Sequence, residues 1–236
     1  MLGFISIFVR HCGCTQPLAV IVKRHSNKKR TNKILTRKMT TENTLTLLNS
    51  IHSDLKVVKE LVYDKCGFDL TNLKQNIESK EYGACTFELN GKTIQQRVSK
   101  ITPTKTGQFV TIWKRNKYGI TEPFENSDNF EFLIITARND ENFGQFIFPK
   151  SVLADNGIIT RNGKIGKRGI RIYPTWDLTT NEQAKKTQSW QTKYFITIKN
   201  DNSTDLELTK KILTQTKIID EEKQRTANMG LAKVGL

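Results

Sequence analysis

The chain has 236 residues, 36% of them hydrophobic, which is enough for one domain with tails or at most two small domains. No apolar run approaches the roughly 18 residues that a membrane-spanning helix needs, so we exclude a protein anchored by such a helix. The formal net charge is +15, and it is distributed unevenly along the chain.

Residues 1–38 are basic and contain no acidic residue. They hold nine Lys and Arg, so the remainder has 29 basic against 23 acidic residues and is only moderately basic. The segment is either an organelle presequence or a disordered or wrongly annotated extension before an initiator at Met39. We favour the second interpretation because the basic residues cluster late. We therefore expect a cytoplasmic protein, with a mitochondrial location as the alternative.

Apolar residues recur every three or four positions from Thr41 to Cys66. This spacing predicts an amphipathic helix, capped by Thr41 and ended by Gly67. The next segment, Asp69 to Glu81, is polar and predicts a connection with at most one turn of helix at Leu73–Ile77.

Strands are predicted from Ala84 onward. Ala84–Leu89 and Lys92–Ile101 flank Asn90-Gly91, a dipeptide that favours a type I′ hairpin because both central positions need positive φ. A third strand is predicted at Gln108–Lys114. A mostly polar loop then runs from Arg115 to Asn129.

The most continuously apolar run is Phe130–Ala137. Because polar residues do not alternate with apolar ones there, it predicts the central strand of the sheet, covered on both faces. Phe143–Phe148 predicts a further strand that Pro149 ends, and Lys150–Asp155 a short helix.

A glycine-rich cationic loop without acidic residues follows at 160–169, before a predicted strand at Ile170–Pro174. Two interpretations stay open with about equal weight: an anion cradle, or a solvated hairpin kept soluble by its charge. Thr179 or Thr180 is expected to cap a helix that ends between Trp190 and Lys193.

A last strand is predicted at Tyr194–Ile198 and a mixed-charge helix over 204–224. This order of elements predicts a mixed α/β fold, with a central, largely antiparallel sheet and flanking helices. We divide the chain into an N-terminal extension (1–38), an α/β domain (41–198) and a C-terminal helical tail (199–236).

Six strings of sequence carry a family resemblance: YGACTFELNGK at 82–92, RVSKITPTKTGQFVTIWKRN at 97–116, EPF at 122–124, GQFIFPK at 144–150, GKRGIRIYPTWD at 166–177 and KTQSWQTKYF at 186–195. In this order they resemble the MepB-like protein family, over about residues 45–198. The resemblance implies a fold similar to the restriction-endonuclease-like α/β fold. By analogy alone, that fold raises a metal-dependent nuclease as an alternative function.

Nucleases of that fold need carboxylates at the sheet edge and an Asp/Glu-x-Lys tripeptide on one strand. The chain has such tripeptides at 54–56, 78–80 and 221–223, and none lies on a predicted strand of the sheet. Glu88 and Glu131 are the strand carboxylates that could lie near one another, and each is more simply a polar residue between apolar ones. We therefore predict no catalytic residue.

Other catalytic chemistry has little support. None of the three histidines falls in the predicted sheet, and Cys12-x-Cys14 lacks the second ligand pair of a zinc site. Cys66 and Cys85 are expected to be small buried side chains in a reducing compartment. We predict neither a cofactor nor a metal.

Cationic residues in segments 100–117 and 161–171 predict a phosphate-binding groove if the sheet brings them to one face. Interleaved aromatic residues suit base stacking, although Trp113 and Trp190 are equally candidates for the core. The predicted contacts are Lys100, Lys105, Lys114, Arg115, Arg161, Lys164, Lys167, Arg168, Arg171, Tyr173 and Trp176. Nucleic-acid binding, to DNA or RNA, is the favoured function, and a nuclease or a protein that binds a small anion or metabolite is the alternative.

Overall fold

The computed structural model describes residues 52–76, 78, 82–199 and 204–214. In these ranges the strands are β1 (Leu70–Gln75), β2 (Cys85–Leu89), β3 (Lys92–Val98), β4 (Lys100–Ile101), β5 (Gln108–Thr111), β6 (Trp113–Arg115), β7 (Thr121–Pro123), β8 (Phe132–Arg138), β9 (Phe143–Pro149), β10 (Gly169–Ile172) and β11 (Phe195–Thr197). The helices are α1 (Ser53–Val58 and Asp64–Cys66, with a π-helical turn at Lys59–Tyr63), α2 (Lys150–Asp155), α3 (Glu182–Gln191) and α4 (206–214).

The largest sheet has the spatial order β1-β2-β3-β8-β9-β11. Its neighbouring strands are antiparallel except β3 and β8, which are parallel. A smaller antiparallel sheet has the order β10-β5-β4, and β6 pairs with β7. The prediction of a mixed α/β fold with a largely antiparallel central sheet and flanking helices is confirmed.

Strand β8 is the centre of the large sheet, as its apolar run predicts. Phe132 and Ile134 face one hydrophobic cluster, which includes residues of α1 and α4. Leu133 and Ile135 face a second cluster, which includes residues of β5 and β10. The large sheet therefore lies between two helices on one face and the small sheet, with α2, on the other.

Two turn predictions are confirmed by the backbone. Asn90 and Gly91 have φ of 48° and 80°, and Leu89 pairs with Lys92, as a two-residue hairpin requires. Gly67, at φ 74°, ends α1 in the left-handed conformation. The single helix predicted from Thr41 is wrong at His52, whose ψ of 129° is not helical, so α1 begins at Ser53; residues 41–51 lie outside the described residues.

The prediction of a polar connection at 69–81 is wrong, because strand β1 forms there. Leu70 and Leu73 are buried, but the register shifts between Thr71 and Lys74, and Asn72 has a φ of 52°. A bulge of this kind inserts an extra residue and hides the alternation by which a strand is recognised.

The predicted strands Lys92–Ile101 and Gln108–Lys114 are each divided in two. The Ser99 amide donates to the Thr136 carbonyl at 2.9 Å, after which Lys100 leaves the large sheet and pairs with β5. Beyond Ile112 the second strand continues as β6, whose partner β7 lies inside the predicted loop.

Helix α3 is capped by Asn181, not by Thr179 or Thr180. The Asn181 Oδ1 accepts the Ala184 amide at 2.7 Å, the bond by which a side chain satisfies an exposed N–H group at a helix start. In the part of the chain that the structure describes, no helix is long and apolar enough to cross a membrane.

Candidate functional site

The small sheet brings members of the two cationic segments to one face. In its register Arg171 of β10 and Lys100 of β4 both lie opposite Phe109 of β5. Residues opposite one another in antiparallel strands point to the same face. That face is the outer one, because the alternating residues Val110 and Ile170 are buried in the core.

A cavity of about 710 Å³ lies beside this face. We call its cationic and aromatic wall the Arg171 surface, formed by Lys105, Lys167, Arg171 and Tyr173. The opposite wall comes from α3, including its start at Asn181. The cavity thus joins loop 102–107, the end of the glycine-rich loop and strand β10.

Arg171 is held by neutral acceptors. Its guanidinium donates to the Thr102 hydroxyl at 3.0 Å and to the Gly107 carbonyl at 2.8 Å. The carbonyls of Lys105 and Thr106 accept from the same nitrogen at 3.3 Å. These contacts fix loop 102–107 against β10, and no carboxylate within the described ranges forms an ion pair with Arg171.

Tyr173 packs directly on Gly107. A Cβ at Gly107 would lie 2.6 Å from the Tyr173 ring, and the φ of 83° there also favours glycine. The Tyr173 amide donates to Gln191 of α3 at 2.9 Å, so the backbone beneath the ring is fixed as well. The aromatic ring is therefore positioned beside the cations.

The glycine-rich loop is a tight hairpin. Arg161 and Lys164 exchange backbone hydrogen bonds of 3.1 and 3.0 Å around Asn162 and Gly163, which have φ of 51° and 78°. The amides of Gly166 and Lys167 donate to Thr160 Oγ1 and to the Ile158 carbonyl, both at 2.9 Å. Because these backbone donors are used internally, an anion at this loop would be bound by side chains.

Four of the predicted contacts extend into solvent from loop positions: Lys105, Lys164, Lys167 and Arg168. None of them forms an ion pair with a carboxylate within the described ranges. The Arg168 carbonyl accepts the Ile112 amide at 2.9 Å, so the backbone is anchored while the side chain stays exposed.

Three other predicted contacts pair with carboxylates: Arg115 with Glu78, Arg161 with Asp155, and Lys114 with Asp128 and Glu122. Desolvation lowers the pKa of Lys114, but the hydrogen bond and charge of Asp128 outweigh it and raise that pKa. These cations are compensated, and they contribute less positive potential than the Arg171 surface does.

The predicted aromatic residues also fall into two groups, those that pack against the core and one that lies beside the cations. Trp176 is half-buried, with its ring edge-on to Phe195 at 5.3 Å between centroids. Trp190 packs on Phe148 at 5.3 Å, while Trp113 lies under the Arg115 guanidinium at 5.4 Å. The structure places Trp176 and Trp190 against the core and Tyr173 beside the cations.

A second cavity contains a cation that sequence reasoning missed. This Arg97 pocket, of about 440 Å³, is lined by Gln75, Asn76, Glu78, Thr86, Gln95, Arg97, Trp113, Lys114, Arg115 and Phe124. Arg97 is only 3% exposed, and burial lowers its pKa to about 10. An arginine in the interior of a predicted strand next to Val98 was the available signal.

Among the described residues, the carboxylates considered for a nuclease do not form a metal-binding group. Glu88 lies opposite Thr93, and Glu131 accepts the Thr93 amide at 2.6 Å, so the two acids flank one residue of β3. Asp54 is buried and pairs with Arg138. Among the described residues, no three His, Cys, Asp or Glu side chains form a group that could hold a metal ion.

The two described cysteines are not activated nucleophiles. Cys85 is fully buried, and burial raises the pKa of its thiol to about 12. Burial also raises the pKa of Cys66, which is half-buried. Cys12 and Cys14, with His11 and His25 of the N-terminal extension, lie outside the described residues.

Comparisons with known proteins place the chain in a family. The sequence model of the MepB-like family matches residues 76–197. A crystal structure of MepB is 35% identical, with a TM-score of 0.53 over 54% of this chain and 86% of MepB. The bacterial homing endonuclease I-Ssp6803I, 16% identical over 54% of this chain and 80% of its own, has a TM-score of 0.34, too low to support an argument. No curated protein matches the chain significantly. The chain belongs to the MepB-like family.

Proposed function

We propose that the protein binds nucleic acid and that the Arg171 surface contacts its phosphates. One observation carries this proposal: Lys105, Lys167 and Arg171, from two segments about sixty residues apart, line one cavity without a described carboxylate partner. Phosphate groups are the anions that lysine and arginine bind most readily through charge-assisted hydrogen bonds.

The spread of the charges favours a polymer over a single small anion. Lys164 and Arg168 lie on the same loop as Lys167, and all three side chains are exposed. One phosphate cannot contact every cation of a loop and a neighbouring strand, whereas successive phosphates of a nucleic-acid backbone can. The fixed ring of Tyr173 adds a surface on which a base can stack, a contact worth about 1–3 kcal/mol.

Salt-dependent binding of single- and double-stranded DNA and RNA oligonucleotides tests the proposal. We expect the logarithm of the affinity to fall linearly with the logarithm of the salt concentration, by about 0.7–0.9 per phosphate contacted. In the variant Lys167→Glu/Arg168→Glu the affinity should fall about tenfold or more. Its salt slope should decrease by about 2, one unit for each lost phosphate contact.

The matched control is Lys56→Glu/Lys211→Glu. It changes the net charge equally, but these exposed lysines lie on α1 and α4, which cover the opposite face of the large sheet. We expect it to bind nearly as well as the wild type. Equal binding by the wild type and the Lys167→Glu/Arg168→Glu variant would refute the proposal, and equal losses in both variants would show attraction by net charge alone.

A further inference from the structure

The inference starts from Arg97, which lies near the end of β3, a central strand of the large sheet. Thr86 and Gln95 lie opposite one another in β2 and β3, and Arg97 follows Gln95 by two residues. Side chains two apart on a strand share a face, so all three point to the same side of the sheet. Trp113 of β6 and Phe124, which follows β7, lie on this side and line the Arg97 pocket.

The guanidinium of Arg97 has few partners for a buried charge. It donates to the Gln96 carbonyl at 2.7 Å and lies 5.9 Å from the centroid of the Phe124 ring. In the part of the chain that the structure describes, no carboxylate forms an ion pair with it. Removing a cation from water without such a partner costs free energy that a bound anion would recover.

The remaining wall of the pocket offers donors. The Thr86 hydroxyl donates to Gln95 Oε1 at 3.3 Å, which leaves the amide nitrogen of Gln95 available to donate to a ligand. Lys114 and Arg115 also line the pocket, but carboxylates pair with both of them. Glu78, the one carboxylate among the described residues that line the pocket, is about half exposed and pairs with Arg115.

We propose that the Arg97 pocket binds one phosphate group, with the Arg97 guanidinium and the Gln95 amide as its donors. A guanidinium presents two parallel N–H groups that match two phosphate oxygens, a fit that a lysine ammonium lacks. The pocket volume of about 440 Å³ accommodates a phosphate together with an attached nucleoside. The site is independent of the Arg171 surface, and the phosphate is either that of a small molecule or one of a polynucleotide backbone.

Thermal unfolding of the full chain with inorganic phosphate, adenosine monophosphate or a single-stranded oligonucleotide tests this site. Chloride at matched ionic strength and adenosine without phosphate are the ligand controls. At a hundred times its Kd, a ligand of the wild type should raise the unfolding midpoint by about 5–10 °C. Arg97→Met should abolish the rise with inorganic phosphate and with adenosine monophosphate, while Lys211→Gln, which removes an equal charge from α4, should retain it.

Arg97→Lys provides a second variant, because it keeps the charge and loses the two-pronged donor. We expect it to bind phosphate about tenfold more weakly or worse, as measured by calorimetric titration. If Arg97→Met does not fold, this comparison decides the question. A rise with phosphate and adenosine monophosphate identifies a small-molecule source. A rise with the oligonucleotide alone that Arg97→Met or Arg97→Lys reduces identifies a backbone phosphate, because binding at the Arg171 surface does not depend on Arg97. Wild type and both variants responding equally to all three probes, or not at all, would overturn the proposal.

Discussion

The Arg171 surface and the Arg97 pocket each contain an arginine on a strand, but the two side chains differ in how their donors are satisfied. Arg171 has four neutral oxygen acceptors and lies among exposed lysines. Arg97 has one such acceptor and is almost fully buried. A satisfied, half-exposed arginine stabilises a loop and adds to a positive field. A buried arginine with one acceptor and no described carboxylate partner instead favours a ligand that brings its own acceptors.

The largest expected effect on stability comes from a substitution at Gly107 that disrupts the Arg171 surface. Gly107→Ala should lower the free energy of unfolding by about 3 kcal/mol or more, because a left-handed φ and a Cβ pressed against Tyr173 add their costs. Gly119→Ala is the matched control. Its φ of 77° is similar, but its Cβ would meet nothing within 4 Å, so we expect a loss of about 1 kcal/mol.

Chemical denaturation of both variants measures these losses, and oligonucleotide binding by Gly107→Ala should weaken as Tyr173 is displaced. Equal losses of stability at the two glycines would mean that Tyr173 does not pack on Gly107. Phosphate stabilisation through Arg97 should survive in Gly107→Ala, because Gly107 and Tyr173 do not line the Arg97 pocket.

The second prediction compares the two arginines directly. Arg171→Met should lower the free energy of unfolding by about 2 kcal/mol, since four oxygens lose a charged donor. Arg97→Met, measured without phosphate, should change it by less than about 1 kcal/mol or raise it, because an apolar side chain replaces a poorly paired buried charge. Equal destabilisation of the two variants would contradict the distinction between an arginine bonded to several loop oxygens and a buried arginine with one acceptor.

The smallest expected effect compares Lys167, which has no described carboxylate partner, with Lys114, which pairs with Asp128 and Glu122. Lys167→Met should reduce the salt slope of nucleic-acid binding by about 1, as expected for one lost phosphate contact. Lys114→Met should leave that slope unchanged, because Asp128 and Glu122 already offset its charge. Its cost in stability should be at most about 1 kcal/mol. A larger change of slope for Lys114→Met than for Lys167→Met would contradict this prediction, because it would show that the nucleic acid binds at the Arg97 pocket and not at the Arg171 surface.

Local signals determined much of the fold from the sequence alone. Glycine and asparagine adopt positive φ more readily than other residues. The positions of Asn90-Gly91 and Gly67 therefore predict the hairpin and the end of α1. Phe130–Ala137 must be buried on both faces because it is apolar at every position except Glu131 and Thr136. These inferences depend on steric and hydrophobic properties that a short stretch of chain carries with it.

Only the tertiary structure decided which cations are free. Lys114 and Lys167 look equivalent in the sequence, yet one meets Asp128 after the chain turns back and the other meets no carboxylate among the described residues. Among the described residues Arg97 has no carboxylate partner, because of what β2, β6 and β7 place around it. Ion pairing and burial depend on residues distant in the chain that folding brings within a few ångströms, and no local pattern encodes that distance.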